Sequence, residues 1–327
     1  MRELIDKAVF ELFDGLFLNI KDLSGEFLAD AQAIAAVCML LYFAMEAYKM
    51  MAGDAPLQIM PLFRPFAITL VIVFWGGFID TLNFPLSVVN DTAQNMYEGQ
   101  IDQVEDMHIE RVALIDSVAK RISESSAEFE HIDEETEDKD WYENIGIDLE
   151  PMFNKMKGYY LMMMAKIHFW AMRLVEYIVI TIFQVCSYII YFLQIIFAAI
   201  LVILGPFSFA LSILPGFRDS YLTWIARYIS VGIYSTIGYI IMSISFVLVK
   251  YGLEREIEIL RAVLQDEEMF IAYVSYPSGN ISFYIVSLII GGLAMLTIPV
   301  ISTWIVNTSG IGQAIGTMAG GAAKMLK

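Results

Sequence analysis

Three histidines, His108, His131 and His168, are the first side chains to test for acid–base or metal chemistry. They stand too far apart in sequence for the paired spacing of a zinc site. The block Asp133-Glu134-Glu135-Thr136-Glu137-Asp138-Lys139-Asp140 offers the oxygen ligands that calcium takes, but it lacks the glycine a calcium loop needs at its sharp turn. There is no Walker-type phosphate loop. Gly310-Ile311-Gly312 fails as a dinucleotide fingerprint, because Ile315 stands where the third glycine belongs and no strand precedes it. Cys38 and Cys186 lie inside apolar runs and read as small packed hydrophobes; a disulfide would require the two runs to touch. The sequence predicts no catalytic, cofactor-binding or metal-binding residue, and no enzyme.

Polar side chains set among apolar ones say more. Gln184, Ser187, Tyr188, Tyr191 and Gln194 fall on one face of a helix. In lipid such a face must meet a polar partner or water, so it predicts interhelical hydrogen bonding or, alternatively, a pore-lining or subunit-contact stripe. Gly232, Ser235, Thr236, Tyr239 and Ser243 make a small or polar face suited to close helix packing. Gly312, Gly316 and Gly320 repeat at four-residue spacing, as a close-approach pattern or a flexible tail. Arg227 is the one charge well inside an apolar run, where it would snorkel, neutralise the nearby loop or pair with a carboxylate such as Asp219. A proton-coupled transporter would show several midplane ionisable groups and a repeated half, and neither is visible.

The elements that carry these residues are membrane helices. Tyr177 to Phe217 is a run of 41 residues without an acidic or basic side chain. About 20 apolar residues already span a bilayer, and an unbroken helix of this length would reach about 60 Å. The run must therefore break, and Gly205-Pro206 and Pro215-Gly216 are the expected corners of a tight hairpin. Composition agrees, at 58% hydrophobic with a mean hydropathy of +0.62. The net charge is nevertheless -17, and residues 98–150 concentrate it, with 18 acidic side chains against the four basic ones Arg111, Lys120, Arg121 and Lys139. That acidity argues against this stretch gripping nucleic acid, whose phosphates need Lys and Arg.

Five segments follow. Residues 1–28 form an amphipathic N-terminal helix closed by Ser24-Gly25, its early charges arguing against a signal peptide. Residues 29–90 hold two spans, about 29–48 and 65–83, joined by a turn at Gly53, Asp54 and Pro56. Residues 91–173 form an acidic extramembrane insert, solvated or loop-like in its middle, ending in an amphipathic lead-in helix that lies on the membrane surface from Met152. Residues 174–306 form a three-helix core, with spans near 177–204, 220–249 and 281–306 and a polar helical segment over Glu254–Glu268. Residues 307–327 are a small-residue tail. The expected fold is all-α, a polytopic membrane protein with about five transmembrane helices.

Specific strings then point further. Ala55-Pro56 with Pro61-Leu62-Phe63-Arg64-Pro65-Phe66-Ala67 resembles the start of the second span in TraJ proteins of conjugative transposons, within the wider TrbL-like class of inner-membrane subunits of type IV secretion systems. Leu204-Gly205-Pro206-Phe207-Ser208-Phe209-Ala210-Leu211-Ser212, Gly216-Phe217 and Trp224-Ile225-Ala226-Arg227-Tyr228-Ile229-Ser230 are similar to that family's most recognisable block. Thr297-Ile298-Pro299, Trp304-Ile305 and Gly310-Ile311-Gly312 are similar to its closing segment. The acidic insert carries no such match.

The resemblance implies a homo-oligomeric ring in the bacterial inner membrane beneath a periplasmic stalk. It implies a non-catalytic channel or scaffold role in assembling the machine and passing DNA–protein substrate, with other inner-membrane, stalk and ATPase subunits as partners. No sequence-specific nucleic-acid binding and no cofactor is implied, and the Gly205–Phe217 turn and Trp224–Ser230 helix start would be structural or subunit-contacting. The family places the N-terminus and central loop in the periplasm. Counting flanking Lys and Arg favours the opposite side, with Lys49, Arg64, Arg218, Lys324 and Lys327 against twice as many elsewhere. A small-solute transporter or channel is the alternative function, and an intramembrane enzyme the third.

Overall fold

The long uncharged run folds as expected of residues that must satisfy their own backbone in lipid. The computed structural model describes residues 7–52, 59–136, 150–275 and 283–306, and among them the chain is helical with no strand. In order, the helices are α1 (Lys7–Met51), α2 (Ile59–Val73), α3 (Trp75–Thr136), α4 (Glu150–Leu211), a 3-10 turn (Pro215–Phe217), α5 (Ser220–Gly232), α6 (Tyr234–Gln265), α7 (Glu267–Ser275), α8 (Phe283–Met295) and α9 (Ile298–Ile305). The fold is all-α.

Three stretches are long and apolar enough to cross a membrane by themselves: Gly25–Met51, Lys166–Leu211 and Pro215–Gln265. Two more qualify if a bent pair counts as one span: Phe63–Val73 with Trp75–Ile122, bent by 84°, and Phe283–Met295 with Ile298–Ile305, bent by 57°. The count of five read from the sequence therefore holds only with each bent pair taken as one span. The first bend falls just before the Gly76-Gly77 pair and the second at Thr297-Ile298-Pro299, both places where a helix is easily kinked.

Several boundaries differ from expectation. α1 runs unbroken through Ser24-Gly25, since one helical glycine costs only about 1 kcal/mol, too little to end a helix. No turn separates the lead-in near Met152 from the apolar run, because α4 is continuous from Glu150. Of the block expected to be solvated or loop-like, Asp133–Thr136 is helix, the last turn of α3. The Gly53-Asp54-Pro56 turn, residues 137–149 and the 307–327 tail with Gly312, Gly316 and Gly320 lie outside the described residues.

The chain divides into two compact units. Among the described residues, one comprises 98–136, 150–185, 242–275 and 283–293, and the other comprises 7–52, 59–97, 186–241 and 294–306. The unit containing residues 59–97 has a core of Ala35, Cys38, Ile68, Ile72, Trp75, Ile79, Val202, Phe209, Ile213, Trp224 and Tyr228. In the other, Ile115, Val118 and Ile122 of α3 pack on Leu260 and Val263 of α6 and on Phe270 and Val274 of α7. Both cysteines are free.

Candidate functional site

The block around Gly205 is built on a defect that one tryptophan repairs and a second packs against. Pro206 sits inside α4 and has no N–H, so the carbonyl of Val202, four residues back, loses its helical donor. The Trp75 indole Nε1 donates to that oxygen at 3.0 Å, and the Trp224 Nε1 donates to the neighbouring Leu201 oxygen at 2.9 Å. In an apolar medium an unsatisfied carbonyl costs several kcal/mol, so the Trp75 bond is what allows a proline here. The rings also pack on each other, Trp75 to Trp224 at 5.1 Å between centroids, with Phe209 at 5.4 Å from each and Tyr228 stacked on Trp224 at 5.1 Å. Only glycine fits at position 205. A Cβ there would stand 2.3 Å from Trp75 Cζ2 and 2.8 Å from Trp224 Cε2.

This corrects the expected corner. Gly205 and Pro206 do not turn the chain; α4 continues to Leu211, and the reversal is made by residues 212–219 around Pro215 and Gly216. The turn is fastened by Arg64, whose Nη2 donates to the Arg218 oxygen at 2.6 Å and the Ser212 oxygen at 3.3 Å. The proline is tolerated within the helix because the freed carbonyl has found another donor.

The polar face of α4 is turned inward. Ser187 and Tyr191 are buried, and Gln184, Tyr188 and Gln194 are half-buried. Gln194 Nε2 donates at 3.2 Å to both the Gly232 oxygen and Ser235 Oγ. Tyr191 packs on Tyr239, 5.7 Å between centroids, which also meets Tyr97 at 5.5 Å. Through Gln194 this face of α4 bonds to α5 and α6. The small face at Gly232 does admit close packing: a Cβ there would meet Leu86 Cδ1 at 2.5 Å. Arg227 is exposed on α5 and forms no ion pair among the described residues. Asp219 lies eight residues earlier, about 12 Å along the helix, which is too far for the expected pairing.

The unit containing residues 98–136 holds a charged cluster that the sequence reading missed. Arg111 is 3% exposed. Its Nη1 donates to Glu176 Oε1 and Oε2 at 2.9 and 3.0 Å, and its Nη2 lies 2.9 Å from Glu256 Oε1. The guanidinium also sits 5.2 Å over the Tyr284 ring. His108 Nδ1 is 3.6 Å from Glu176 Oε1, beyond hydrogen-bond range. Burial pushes the nearby Tyr273 phenol up, and the Glu256 carboxylate adds to it. Further along, Arg121 Nη1 donates at 3.1 Å to the Val263 and Leu264 oxygens, capping the end of α6, and lies 4.2 Å over Phe270. Arg121–Glu267, Arg173–Asp116 and Arg261–Glu110 are further ion pairs between helices.

A signal for this cluster was present. Ile101, Val104, His108, Arg111, Ile115, Val118 and Ile122 recur at alternating three- and four-residue spacing, the pattern of a buried helical seam. His108 and Arg111 occupy core positions of that seam, where a charge must find buried partners. The excess of acid around them disguised it.

Apolar helices of spanning length and a charged helical unit locked by cross-helix ion pairs together define a helical membrane protein. A sequence model of the family described as homologues of TraJ from Bacteroides conjugative transposon matches residues 7–325, and the chain belongs to that family. The family ties the chain to conjugation and to membership of a transfer complex. No curated protein and no solved structure matches it.

Proposed function

We propose that this chain is a non-enzymatic channel or scaffold subunit of a conjugative type IV secretion system of the TrbL-like class. It would act in the bacterial inner membrane as a multi-pass homo-oligomer, helping to assemble the machine and to pass DNA–protein substrate alongside stalk and ATPase subunits. The observation that carries this reading is the family match over residues 7–325 of a chain with several apolar helices of spanning length. The fold supports it: polar side chains such as Gln194 and Ser187 serve helix packing, as befits a scaffold.

The test is purification from donor membranes in mild detergent. The reading expects multimers that retain other secretion subunits. A lone monomer that carries ligand-dependent solute flux in liposomes would replace it with the transporter alternative.

A further inference from the structure

The first turns of α3 present a contradiction within one unit. Trp75 is bonded to Val202, Asn83 Oδ1 accepts from Tyr228 Oη at 2.7 Å, Leu86 packs on Gly232 and Tyr97 packs on Tyr239. Those contacts run α3, from 75 to 97, alongside α4 and the α5–α6 span. At these levels α4 exposes only apolar side chains, Ile189, Phe192, Ile196, Phe197 and Ile200, which is the surface of a helix in lipid. α3 at the same levels exposes Asp80, Ser87, Asp91 and Asn95.

The polar residues are not scattered. At 100° per residue, Asp80, Asn83, Ser87, Asp91, Gln94 and Asn95 fall within about one third of the helix circumference, and Phe84 is the one large apolar side chain among them. Ile79, Leu86, Ala93 and Tyr97 make the packed face, and Val88, Val89 and Met96 lie on the remaining exposed side. So α3 has three faces: one for the core, one suited to lipid, and one that lipid would reject. A carboxylate at membrane depth costs about 2.5–3.5 kcal/mol or more unless water or a partner reaches it. At the border between that arc and the packed face, Asn90 Oδ1 is shielded and has no hydrogen-bond partner among the described residues, as expected of an atom that a water would serve.

We infer that the polar face of α3 between Asp80 and Asn95 lines a water-filled path that a second copy of this chain closes. This rests on the channel reading above and moves the lining from α4, where the sequence suggested it, to α3. Two carboxylates per copy make the path acidic, favouring cations and basic polypeptide segments over bare phosphate.

The test is thiol labelling in intact donor membranes, with Cys38 and Cys186 replaced by Ala and Ser. Single cysteines are placed by S87C and D91C, with V37C and I200C on exposed apolar faces as lipid controls. A charged, membrane-impermeant methanethiosulfonate reagent needs a hydrated thiolate, so positions 87 and 91 should react roughly tenfold faster than the controls. Rates equal to the controls, with all four thiols reacting fully after denaturation in SDS, would overturn the inference. Deleting the gene separates the two claims. Fast labelling combined with unimpaired transfer in the deletion strain upholds the water-filled face and removes the conjugative role. Protected thiols combined with lost transfer do the reverse.

Discussion

Replacing Gly205 by alanine tests the packing of the whole Gly-Pro block with one methyl group. Ordinary contact for that methyl begins near 3.4 Å, yet it would lie 2.3 and 2.5 Å from two Trp75 carbons and 2.8 Å from Trp224. Neither indole can yield freely, because each is tied to an α4 carbonyl and Trp75 is 2% exposed. Overpacking of this kind costs about 1–3 kcal/mol, and a ring that moves away strands a buried carbonyl for about 1–3 kcal/mol more. Alanine's better helix propensity returns about 1 kcal/mol. The expected net loss is about 1–5 kcal/mol, measured by tryptophan fluorescence during SDS-induced unfolding from mild micelles. G99A is the control: nothing lies within 4 Å of a Cβ there, so only the propensity gain applies. A G205A protein as stable as wild type would refute the close approach of indoles and helix.

Other predictions follow from the same contacts. W75F leaves the Val202 carbonyl without its indole donor and should cost about 1–3 kcal/mol, while adding P206A restores an N–H and should recover part of it; a double-mutant cycle with purely additive losses would deny the coupling. R111M strands Glu176 and Glu256 in the interior and should lose about 3–5 kcal/mol, whereas R173M, whose pair with Asp116 is exposed on both sides, should stay within about 1 kcal/mol, both read from thermal aggregation in detergent. G252A would place a Cβ 2.7 Å from the Tyr284 backbone nitrogen, and backbone gives less than a side chain, so limited proteolysis should open α6 from α8; an unchanged digestion pattern would contradict it.

What the sequence disclosed and concealed has physical causes. The absence of charge from Tyr177 to Phe217 was enough for membrane helices, because lipid allows few alternatives to a helix there. The chain reversal was misplaced because a proline at 206 ordinarily ends a helix, and its rescue depends on Trp75, which lies 131 positions earlier. Gln194 and Ser187 were visible as a polar face, but spacing alone cannot say whether such a face looks inward or outward. The acidic stretch misled most. Its middle block from Asp133 suggested a solvated loop, while α3 runs as helix to Thr136, and the seam from Ile101 to Ile122 packs beneath charge that hid it. Arg111 was counted as a minority charge when its partners, Glu176 and Glu256, stand at the margins of two apolar runs.

Conjugation frequency from a donor carrying an in-frame deletion of this gene tests the central claim most directly. The account predicts that transfer falls to the background of a donor lacking a secretion ATPase, with growth unaffected, and that the wild-type gene supplied in trans restores it. Undiminished transfer from the deletion donor, with no second copy of the gene present, would contradict it.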